Sequence, residues 1–516
     1  MKKRNIYFLG LALLCGTTSC VDLDQEPESF LTEEEYIEQP QTIDIVQKGV
    51  TGLYNLLWSE NYGFSCRRLR IETSAGEILP QFAKAGNPLT NIYALSPSIG
   101  SCEKDNATNW KNFWKVITGS NKIINGTPIP EGAQAEQYKA IVAEAHFMRA
   151  LAYFNLVRIF GDVPFITNSE EARNPECPRC AVADIYDKII LPDLEYACKY
   201  LPKVSRSLSS DTPSLWAGKT LLADVYITMA GWPLKRGKEY YAKAADVTKE
   251  IITNSGLKLT ADYADLWKEE LKISDKEHLF ALHNSVALHN PSQYGKSFYS
   301  TDHKYGGWGD YFASPRFVEN HPHDARLAYD FALDWPKNKA GEMINYKNSI
   351  NKAPLIVKFA DYNEINAKGV LSQLSNGITP IYRYADVLLM YAEASNLAEG
   401  APNKLAQQCL KDIQDRAGYP TNERPAYSDM STFDQAVFQE RGWEFYAEGK
   451  RWFELVRREK VAEYRNMGTM KPGDKGIKEE YENFYDNSLF KANGHYYFPL
   501  PIAEVQMTGW ENNKGY

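Results

Sequence analysis

Residues suited to carbohydrate binding are concentrated between positions 278 and 358, where the chain loses its helical periodicity. A sugar ring has a face of C–H groups and a rim of hydroxyls, so it favours an exposed aromatic face edged by polar groups. We predict a ligand-binding surface there, and for each ring the alternative is packing inside the loop itself. The predicted rings are Tyr299, Tyr305, Trp308 and Tyr311, among Gly306, Gly307 and Gly309, and the polar edge is Asp302, His303 and Asp310.

A second irregular segment, from Asn61 to Asn109, is rich in Gly, Pro and Ser with scattered aromatic residues. Such composition indicates surface loops, and these loops could face the first segment. Trp110 and Trp114 are four residues apart in a helical pattern, which favours a core position for both. The predicted contributors from this segment are Tyr62, Phe64, Arg67, Glu77 and Tyr93.

No motif for catalysis is present in the sequence. Carboxylates are plentiful, but no pair is singled out, and there is no nucleophile elbow, phosphate loop or HExxH. His321, His323 and Asp324 could be drawn as metal ligands, although a structural turn is the simpler interpretation. Cys177 and Cys180 form a lone CxxC, which favours a loop disulfide or two free thiols over a metal site. We predict no catalytic residue, metal ligand or cofactor, and leave a structural cation open.

Helices must position the irregular segments. From Tyr382 to Gly418, apolar residues recur at three- and four-residue steps on both sides of Gly400, which predicts two antiparallel helices. A second hairpin is predicted from Thr212 to Ile252, with Thr212 as N-cap and Pro213 as first helical residue. Neither hairpin can bury its apolar stripe alone. The sequence therefore predicts an all-α fold of stacked, tetratricopeptide-like helical pairs that act as a scaffold. Further helices are predicted at 42–58, 110–125, 138–159 and 183–200.

The C-terminal third carries two further signals. Gly449 is predicted to break the helical pattern between Phe433 and Glu459. Charges of alternating sign nearby predict a salt-bridged, solvated face. The last residues, from His495 to Tyr516, predict a proline-locked strap across the bundle. The alternating charges are Glu448, Arg451, Glu454 and Arg458.

The N-terminus resembles a lipoprotein signal peptide over residues 1–19. Lys2, Lys3 and Arg4 precede a short apolar run, and small residues lead to Cys20. Lipid on Cys20 would anchor the protein, with the acidic residues 20–40 as an extended tether; cleavage elsewhere is the alternative. Removing the leader takes three positive charges from a net charge of −8 and leaves −11, which argues against nucleic-acid binding.

Long motifs in a fixed order resemble the SusD/RagB-type surface lipoproteins of Bacteroidetes. They are EAHFMRALAYFNLVRIFGDVPF from Glu144, PIYRYADVLLMYAE from Pro380, ERGWEFYAEGKRWFELVR from Glu440 and the terminal GWENNKGY. The resemblance implies one domain over residues 41–516, with a SusD-like part at about 41–230 and a RagB/SusD part at about 231–516. It also implies four tetratricopeptide-like helical pairs and a loop-rich ligand side.

The resemblance further implies a role as the substrate-capturing lid of a SusC-like TonB-dependent outer-membrane transporter, facing outward. Its motifs carry charges that we interpret as buried partners fixing the helix packing, not as catalytic groups. The alternatives are a peptide-binding relative, a glycoside hydrolase on a helical scaffold and a purely structural transporter subunit. The motif charges are Arg383, Asp386, Glu393, Glu440, Arg441 and Arg451.

Overall fold

The computed structural model of the protein describes residues 42–57, 70–80, 92, 99–174, 176–288, 294–338, 340–359, 376–468 and 496–516. Helices dominate these residues, which confirms the predicted helical class. The helices are α1 (Ile43–Leu56), α2 (Ile99–Gly126), α3 (Ala135–Phe160), α4 (Ser169–Arg173), α5 (Val182–Ile185), α6 (Leu191–Tyr200), α7 (Leu215–Ala230), α8 (Lys238–Asn254), α9 (Tyr294–Ser297), α10 (Pro315–Glu319), α11 (Ala325–Asp330), α12 (Tyr384–Glu399), α13 (Lys404–Ala417), α14 (Met430–Glu444), α15 (Arg451–Arg457), α16 (Val461–Gly468) and α17 (Ile502–Thr508).

Short strands pair into two-stranded antiparallel ribbons: β1 with β5, β2 with β3, β4 with β10, β6 with β9 and β7 with β8. The strands are β1 (Ile78–Pro80), β2 (Val163–Pro164), β3 (Arg179–Cys180), β4 (His278–His283), β5 (Tyr311–Ala313), β6 (Phe331–Ala332), β7 (Asp334–Lys337), β8 (Glu342–Asn345), β9 (Leu355–Ile356) and β10 (Ile378–Arg383). We call residues 278–358 the insertion, and α1–α3, α5–α8 and α12–α15 the helical frame.

Neighbouring helices of the frame pack as hairpins around one large apolar core. Helices α7 and α8 form one hairpin, and α12 and α13 form another, as predicted. Gly400 has a φ of +83° and Gly418 a φ of +70°, so each ends its helix in the left-handed conformation that glycine adopts readily. A π-helical turn, Tyr186–Ile190, joins α5 to α6 within the predicted helix 183–200.

Three predicted helix starts are displaced. Helix α7 begins at Leu215 because the Ser214 hydroxyl, and not that of Thr212, accepts the Ala217 N–H as N-cap. Helix α12 begins at Tyr384 because the residues before it, in β10, pair with β4. The Asp386 carboxylate accepts the Arg383 N–H at 2.8 Å and so caps the start of the helix. Helix α2 begins at Ile99 and not near Trp110. Its first turns bury polar residues, which hydrophobic periodicity does not detect.

The insertion has small apolar cores of its own beside the frame. One contains Phe298, Tyr311 and Phe317, together with Tyr446 from the segment that follows α14. The other contains Tyr299, Phe312 and Trp335 with neighbouring strand residues. The insertion is therefore a packed structure and not an extended loop.

Buried ion pairs join segments of the chain that are far apart in sequence. Arg383 lies between the carboxylates of Glu277, Glu444 and Glu448, at 2.7 to 2.9 Å from each, with all four side chains fully buried. The interpretation of the motif charges as buried partners is confirmed; besides Arg383 they are Asp386, Glu393, Glu440, Arg441 and Arg451.

The prediction that Glu448, Arg451, Glu454 and Arg458 lie on a solvated face is wrong, because the first three are buried and the Arg458 side chain is only 10% exposed. Their alternating signs do form ion pairs, but with partners inside the protein, such as Arg451 with Glu77. Gly449, with a φ of +74°, breaks the helix as predicted. Residues 448 and 451 therefore do not lie on one continuous helical face. Charge spacing alone cannot separate a solvated stripe from a buried network.

The C-terminal residues form the predicted strap. The N–H of Phe498 donates to the Ile159 carbonyl at 2.8 Å, and the Asn513 side-chain amide donates to the Phe160 carbonyl at 2.9 Å. Arg179 donates to the Glu511 carbonyl at 3.0 Å. Across the described ranges, no helix has both the length and the apolar character needed to cross a bilayer.

Candidate functional site

The residues around Trp308 form a tightly folded loop, residues 296–310, which we call the platform loop. The N–H of Trp308 donates to the Lys296 carbonyl at 2.9 Å, that of Gly309 to the Tyr299 carbonyl at 2.8 Å, and that of Asp310 to the Ser297 carbonyl at 2.8 Å. These bonds fold the second half of the loop onto the first half. The side chain of Trp308 is thus presented from a fixed backbone, a condition for pre-organised binding.

Gly307 is required by this close approach of two backbone segments. A Cβ atom at position 307 would lie 1.9 Å from the Tyr299 carbonyl oxygen, far inside any real contact distance. Gly306 and Gly309 have φ values of +65° and +63°, which favour glycine. The three glycines around Trp308 therefore shape the turn that displays the ring.

Trp308 and Tyr305 are half-buried, so each residue keeps part of its surface accessible. The ammonium of Lys296 lies 5.6 Å from the centre of the Trp308 ring, and that of Lys304 lies 4.5 Å from the centre of the Tyr305 ring. Such cation–π contacts restrict the rings. Sequence reasoning missed both lysines; Lys304 could have been noticed as a chain neighbour of Tyr305, but Lys296 has no such signal.

The two predicted edge carboxylates also hold the loop together. Asp302 Oδ1 accepts the indole N–H of Trp335 at 3.2 Å, and its backbone carbonyl accepts the Asn338 N–H at 3.0 Å. Asp310 Oδ2 accepts the Ser297 hydroxyl at 2.9 Å. With Lys296 and Lys304 nearby, the platform loop carries balanced charge and offers both donors and acceptors.

His303 is a buried residue that stabilises the platform loop. Its side chain is buried, and its Nδ1 accepts the Tyr305 N–H at 3.2 Å. Burial, aided by the nearby charge of Lys304, lowers the pKa of His303 to about 4, so the imidazole is neutral at pH 7. This predicted edge residue is a positioning residue for Tyr305.

Two predicted platform rings, Tyr299 and Tyr311, are only 1% and 2% exposed. The Tyr299 ring packs edge-on against His303 at 4.5 Å, and the Tyr311 ring packs against Phe298 at 5.5 Å. Because both rings fill the cores of the insertion, neither offers a face to a ligand. The prediction that Tyr299 and Tyr311 form part of the platform is therefore wrong, and both rings pack inside the insertion.

Of the five predicted partners from the N-terminal half, the structure describes Glu77 alone, and Glu77 does not join the site. Glu77 is buried, and its Oε1 accepts the Arg451 Nε–H at 2.9 Å, so it belongs to the buried ion-pair network. The other four predicted residues, and the lipidation candidate Cys20, lie outside the described residues; those four are Tyr62, Phe64, Arg67 and Tyr93.

The candidate metal ligands around His321 have different surroundings, although His321 Nδ1 lies 4.0 Å from the Asp324 carboxylate. His321 is buried, His323 is exposed and contacts Glu423 at 3.2 Å, and Asp324 pairs with Arg326 at 2.6 Å. Among the residues that the structure describes, no group of three or more His, Cys, Asp or Glu side chains could hold a metal ion. Cys177 and Cys180 are free thiols.

A carboxylate-bearing cavity inside the frame is too small for a sugar. It is lined by Asp224, Asp386 and Glu454 together with basic side chains, and its volume is about 50 Å³. That volume accommodates a few water molecules. Asp386 is held by Lys450 at 2.5 Å, and Asp224 accepts the Tyr382 hydroxyl at 2.7 Å. These acids stabilise the fold and face no substrate-sized space.

A tetratricopeptide-like helical frame that carries a packed, loop-bearing insertion defines the class of this protein. Two family models match the chain, the SusD family over residues 324–516 and "Starch-binding associating with outer membrane" over residues 29–227. Together they span most of the sequence. The chain belongs to the SusD/RagB family.

Relatives match over nearly the full length. The chain is 26% identical to SusD-like protein P2 of Formosa agariphila, and the match covers 100% of both chains. It is also similar to the crystal structure of a SusD superfamily protein from Parabacteroides distasonis, with 26% identity, a TM-score of 0.76 and coverage of 94% and 100%. A structure described as a laminarin binding SusD-like protein has the same fold, with 21% identity, a TM-score of 0.70 and coverage of 91% and 99%.

Proposed function

We propose that the protein is a cell-surface glycan-binding lipoprotein that captures an oligosaccharide through the platform loop. The observation that carries this proposal is the pair of half-buried rings, Trp308 and Tyr305, presented on a backbone-locked loop with lysines and carboxylates around them. An aromatic face takes the C–H face of a pyranose, and the surrounding polar groups bond to its hydroxyls.

The charge of the loop favours a neutral sugar. Lys296 and Lys304 are balanced by Asp302 and Asp310, so a charged ligand gains no net attraction. Tyr and Trp lose little rotamer freedom on binding, and cation–π contacts restrict them further. The laminarin-binding description of a protein with the same fold agrees with this ligand class.

The peptide-binding alternative is less well supported. Extended peptides are commonly bound through backbone donors and acceptors along a strand edge. In the platform loop, the N–H groups of Trp308, Gly309 and Asp310 are already bonded within the protein. The accessible parts of Trp308 and Tyr305 suit a sugar better than a peptide backbone.

We further propose that the protein does not cleave its ligand. Glycoside hydrolysis uses two carboxyl groups on either side of a bound sugar. The buried acids described above are held by Arg or Lys, and the cavity that several of them line has a volume of about 50 Å³. The binding energy would then serve retention and not bond cleavage.

Lipidation of Cys20 and partnership with a SusC-like TonB-dependent transporter complete the proposal. Residues 1–19 would be the signal peptide and residues 20–40 the tether. The family model described as associating with the outer membrane supports this location. Cells supplied with labelled palmitate should label the wild-type protein and not Cys20→Ala. Retained label would contradict the anchor, and absence of co-purifying transporter from detergent-solubilised membranes would contradict the partnership.

The test of glycan binding is affinity electrophoresis of the purified protein against a panel of neutral polysaccharides, including laminarin and starch. The proposal predicts retardation by at least one of them without release of reducing sugar. Absence of retardation by every member would contradict it for those glycans, and release of reducing sugar would favour the hydrolase.

A further inference from the structure

A second groove, with a volume of about 640 Å³, lies between α2 and the C-terminal helix α17. None of the residues lining it belongs to the insertion. Its apolar lining includes Leu56, Trp110, Trp114 and Ala503. A volume between about 300 and 1,000 Å³ is typical of a small-molecule site. The groove is thus of a size to accept sugar units, independently of the platform loop.

The two tryptophans of the groove are fixed by ring packing. Trp110 is buried at 4% exposure, and its ring packs edge-on against Trp114 at 5.6 Å and against Phe160 at 5.2 Å. Trp114 is half-buried and also packs edge-on against Tyr153 at 5.7 Å. Trp114 therefore offers a fixed, partly exposed aromatic surface, which a ligand could meet at little entropic cost.

Lysines line the same groove on one side of α2. Lys111, Lys115 and Lys122 follow at steps of four and seven residues, which place them on one helical face. Lys115 and Lys122 form no ion pair with any residue in the described ranges. Among the described residues that line the groove, Glu504 is the one acid. In a chain with a net charge of −8, this local excess of positive charge stands out.

Glu504 offsets only part of the lysine charge, because it is one carboxylate beside three lysines among the described lining residues. Burial raises the pKa of Glu504, although a hydrogen bond with Trp110 opposes the shift. The Glu504 carboxylate thus also contacts Trp110, which lines the same groove. The groove differs in this respect from the platform loop, where two carboxylates balance two lysines.

We propose that this groove binds an acidic saccharide, with the sugar face against Trp114 and a carboxylate or sulfate group on Lys115 and Lys122. Lysine acts as a point charge and accepts either anion. The apolar lining and the basic side together require a ligand with both an apolar face and negative charge. A uronic acid or a sulfated sugar meets both requirements. The inference does not rest on neutral glycan binding at Trp308.

The experiment is affinity electrophoresis and calorimetry of the full chain with polygalacturonate, a uronate polymer, and with dextran sulfate, a sulfated one. The variants are Lys115→Gln with Lys122→Gln, Trp114→Phe, and Lys249→Gln as a matched control. Lys249 is an exposed lysine on α8, so its removal changes the net charge without touching the groove.

Wild-type protein should be retarded by at least one of the two polymers, and the double lysine variant should bind about tenfold more weakly, as expected for loss of two exposed charge contacts. Trp114→Phe should weaken binding less, while Lys249→Gln and Trp308→Ala should leave it unchanged. Retardation by one polymer alone would show which anion the groove accepts.

Five results would overturn the proposal. The first is that neither polymer binds, and the second is that the double lysine variant binds like wild type. The third is that Lys249→Gln loses as much affinity as the double variant. The fourth is that poly-glutamate competes as well as the saccharide polymers. Competition by poly-glutamate would show attraction of charge without recognition of sugar. The fifth result, loss of binding in Trp308→Ala alone, would assign the anionic ligand to the platform loop.

Discussion

The guanidinium of Arg326 lies 2.6 Å from the carboxylate of Glu440, and both side chains are fully buried. Arg326 belongs to the insertion and Glu440 to α14, so this ion pair joins the ligand-bearing part of the protein to its frame. Lys358 makes a second buried link, to Glu448 at 3.0 Å. The insertion is thus held by charge as well as by apolar packing.

Removal of Arg326 should destabilise the protein strongly. Arg326→Met leaves Asp324, Glu440 and part of Glu444 as buried charges without this partner. Loss of one partner from a buried ion pair costs about 3 to 5 kcal/mol in the free energy of unfolding. Urea denaturation of Arg326→Met and of wild type measures this loss in the free energy of unfolding. Lys411→Gln, which breaks the exposed Lys411–Asp415 pair, should change stability little. Equal losses in the two variants would contradict the role of the buried pair.

Asp330 should make stability depend on pH. Burial raises the pKa of Asp330 to about 7, against the opposing charge of Lys358 at 3.7 Å. Between about pH 4 and pH 7 the folded state keeps a proton that the unfolded chain releases, so this group lowers the free energy of unfolding as pH rises through that window. Asp330→Asn removes the effect.

The stability difference between Asp330→Asn and wild type, variant minus wild type, should grow by about 1 kcal/mol per pH unit across this window and level off above pH 7. Urea denaturation at a series of pH values gives the difference. Parallel profiles for the two proteins would show that the pKa of Asp330 is not raised.

Gly307→Ala should weaken glycan binding by displacing the platform loop. The added Cβ would lie 1.9 Å from the Tyr299 carbonyl oxygen, so the backbone around Trp308 has to move. We expect roughly tenfold weaker binding, since a binding site loses affinity when its geometry loosens. Gly52→Ala in α1 is the matched control, because nothing lies within 4 Å of its added Cβ. Its binding should equal that of wild type, and an unchanged Gly307→Ala would contradict the pre-organised loop.

Tyr311→Ala should act on stability and not directly on the ligand. The ring is 2% exposed and packs against Phe298, so its removal leaves a cavity in the core of the insertion. Truncation of a buried aromatic side chain costs about 3 to 5 kcal/mol. Thermal unfolding monitored by circular dichroism should show a lower Tm. If Tyr311→Ala is as stable as wild type but has lost glycan binding, Tyr311 belongs to the binding surface and not to the core.

Sequence periodicity predicts the frame well where one face of a helix is apolar. The hairpin of α12 and α13 is such a case, because its stripe and its two glycine caps are all local signals. The start of α2 is missed because Asp105, Asn106 and Asn109 are buried polar residues. Local pattern cannot distinguish such residues from those of a surface loop.

The candidate site was predicted only in part. Glycines around a concentration of rings are the signal that predicts Trp308 and Tyr305. The same pattern included Tyr299 and Tyr311, since a ring in a loop core and a ring on a platform have the same sequence signature. The cation–π contact of Lys296 with Trp308 depends on the folding of the loop, and no spacing rule predicts it. The contact of Glu77 with Arg451 likewise depends on the tertiary structure, which the sequence pattern does not show.

The most direct test of the account is calorimetric titration of a neutral oligosaccharide into wild type, Trp308→Ala and Trp510→Ala. Trp510 is a half-buried tryptophan of the C-terminal strap and serves as the matched control. Loss of one stacking ring should weaken binding by at least tenfold in Trp308→Ala, with an unchanged Tm. Trp510→Ala should bind like wild type. Unchanged affinity in Trp308→Ala would contradict the central claim that the platform loop binds glycan.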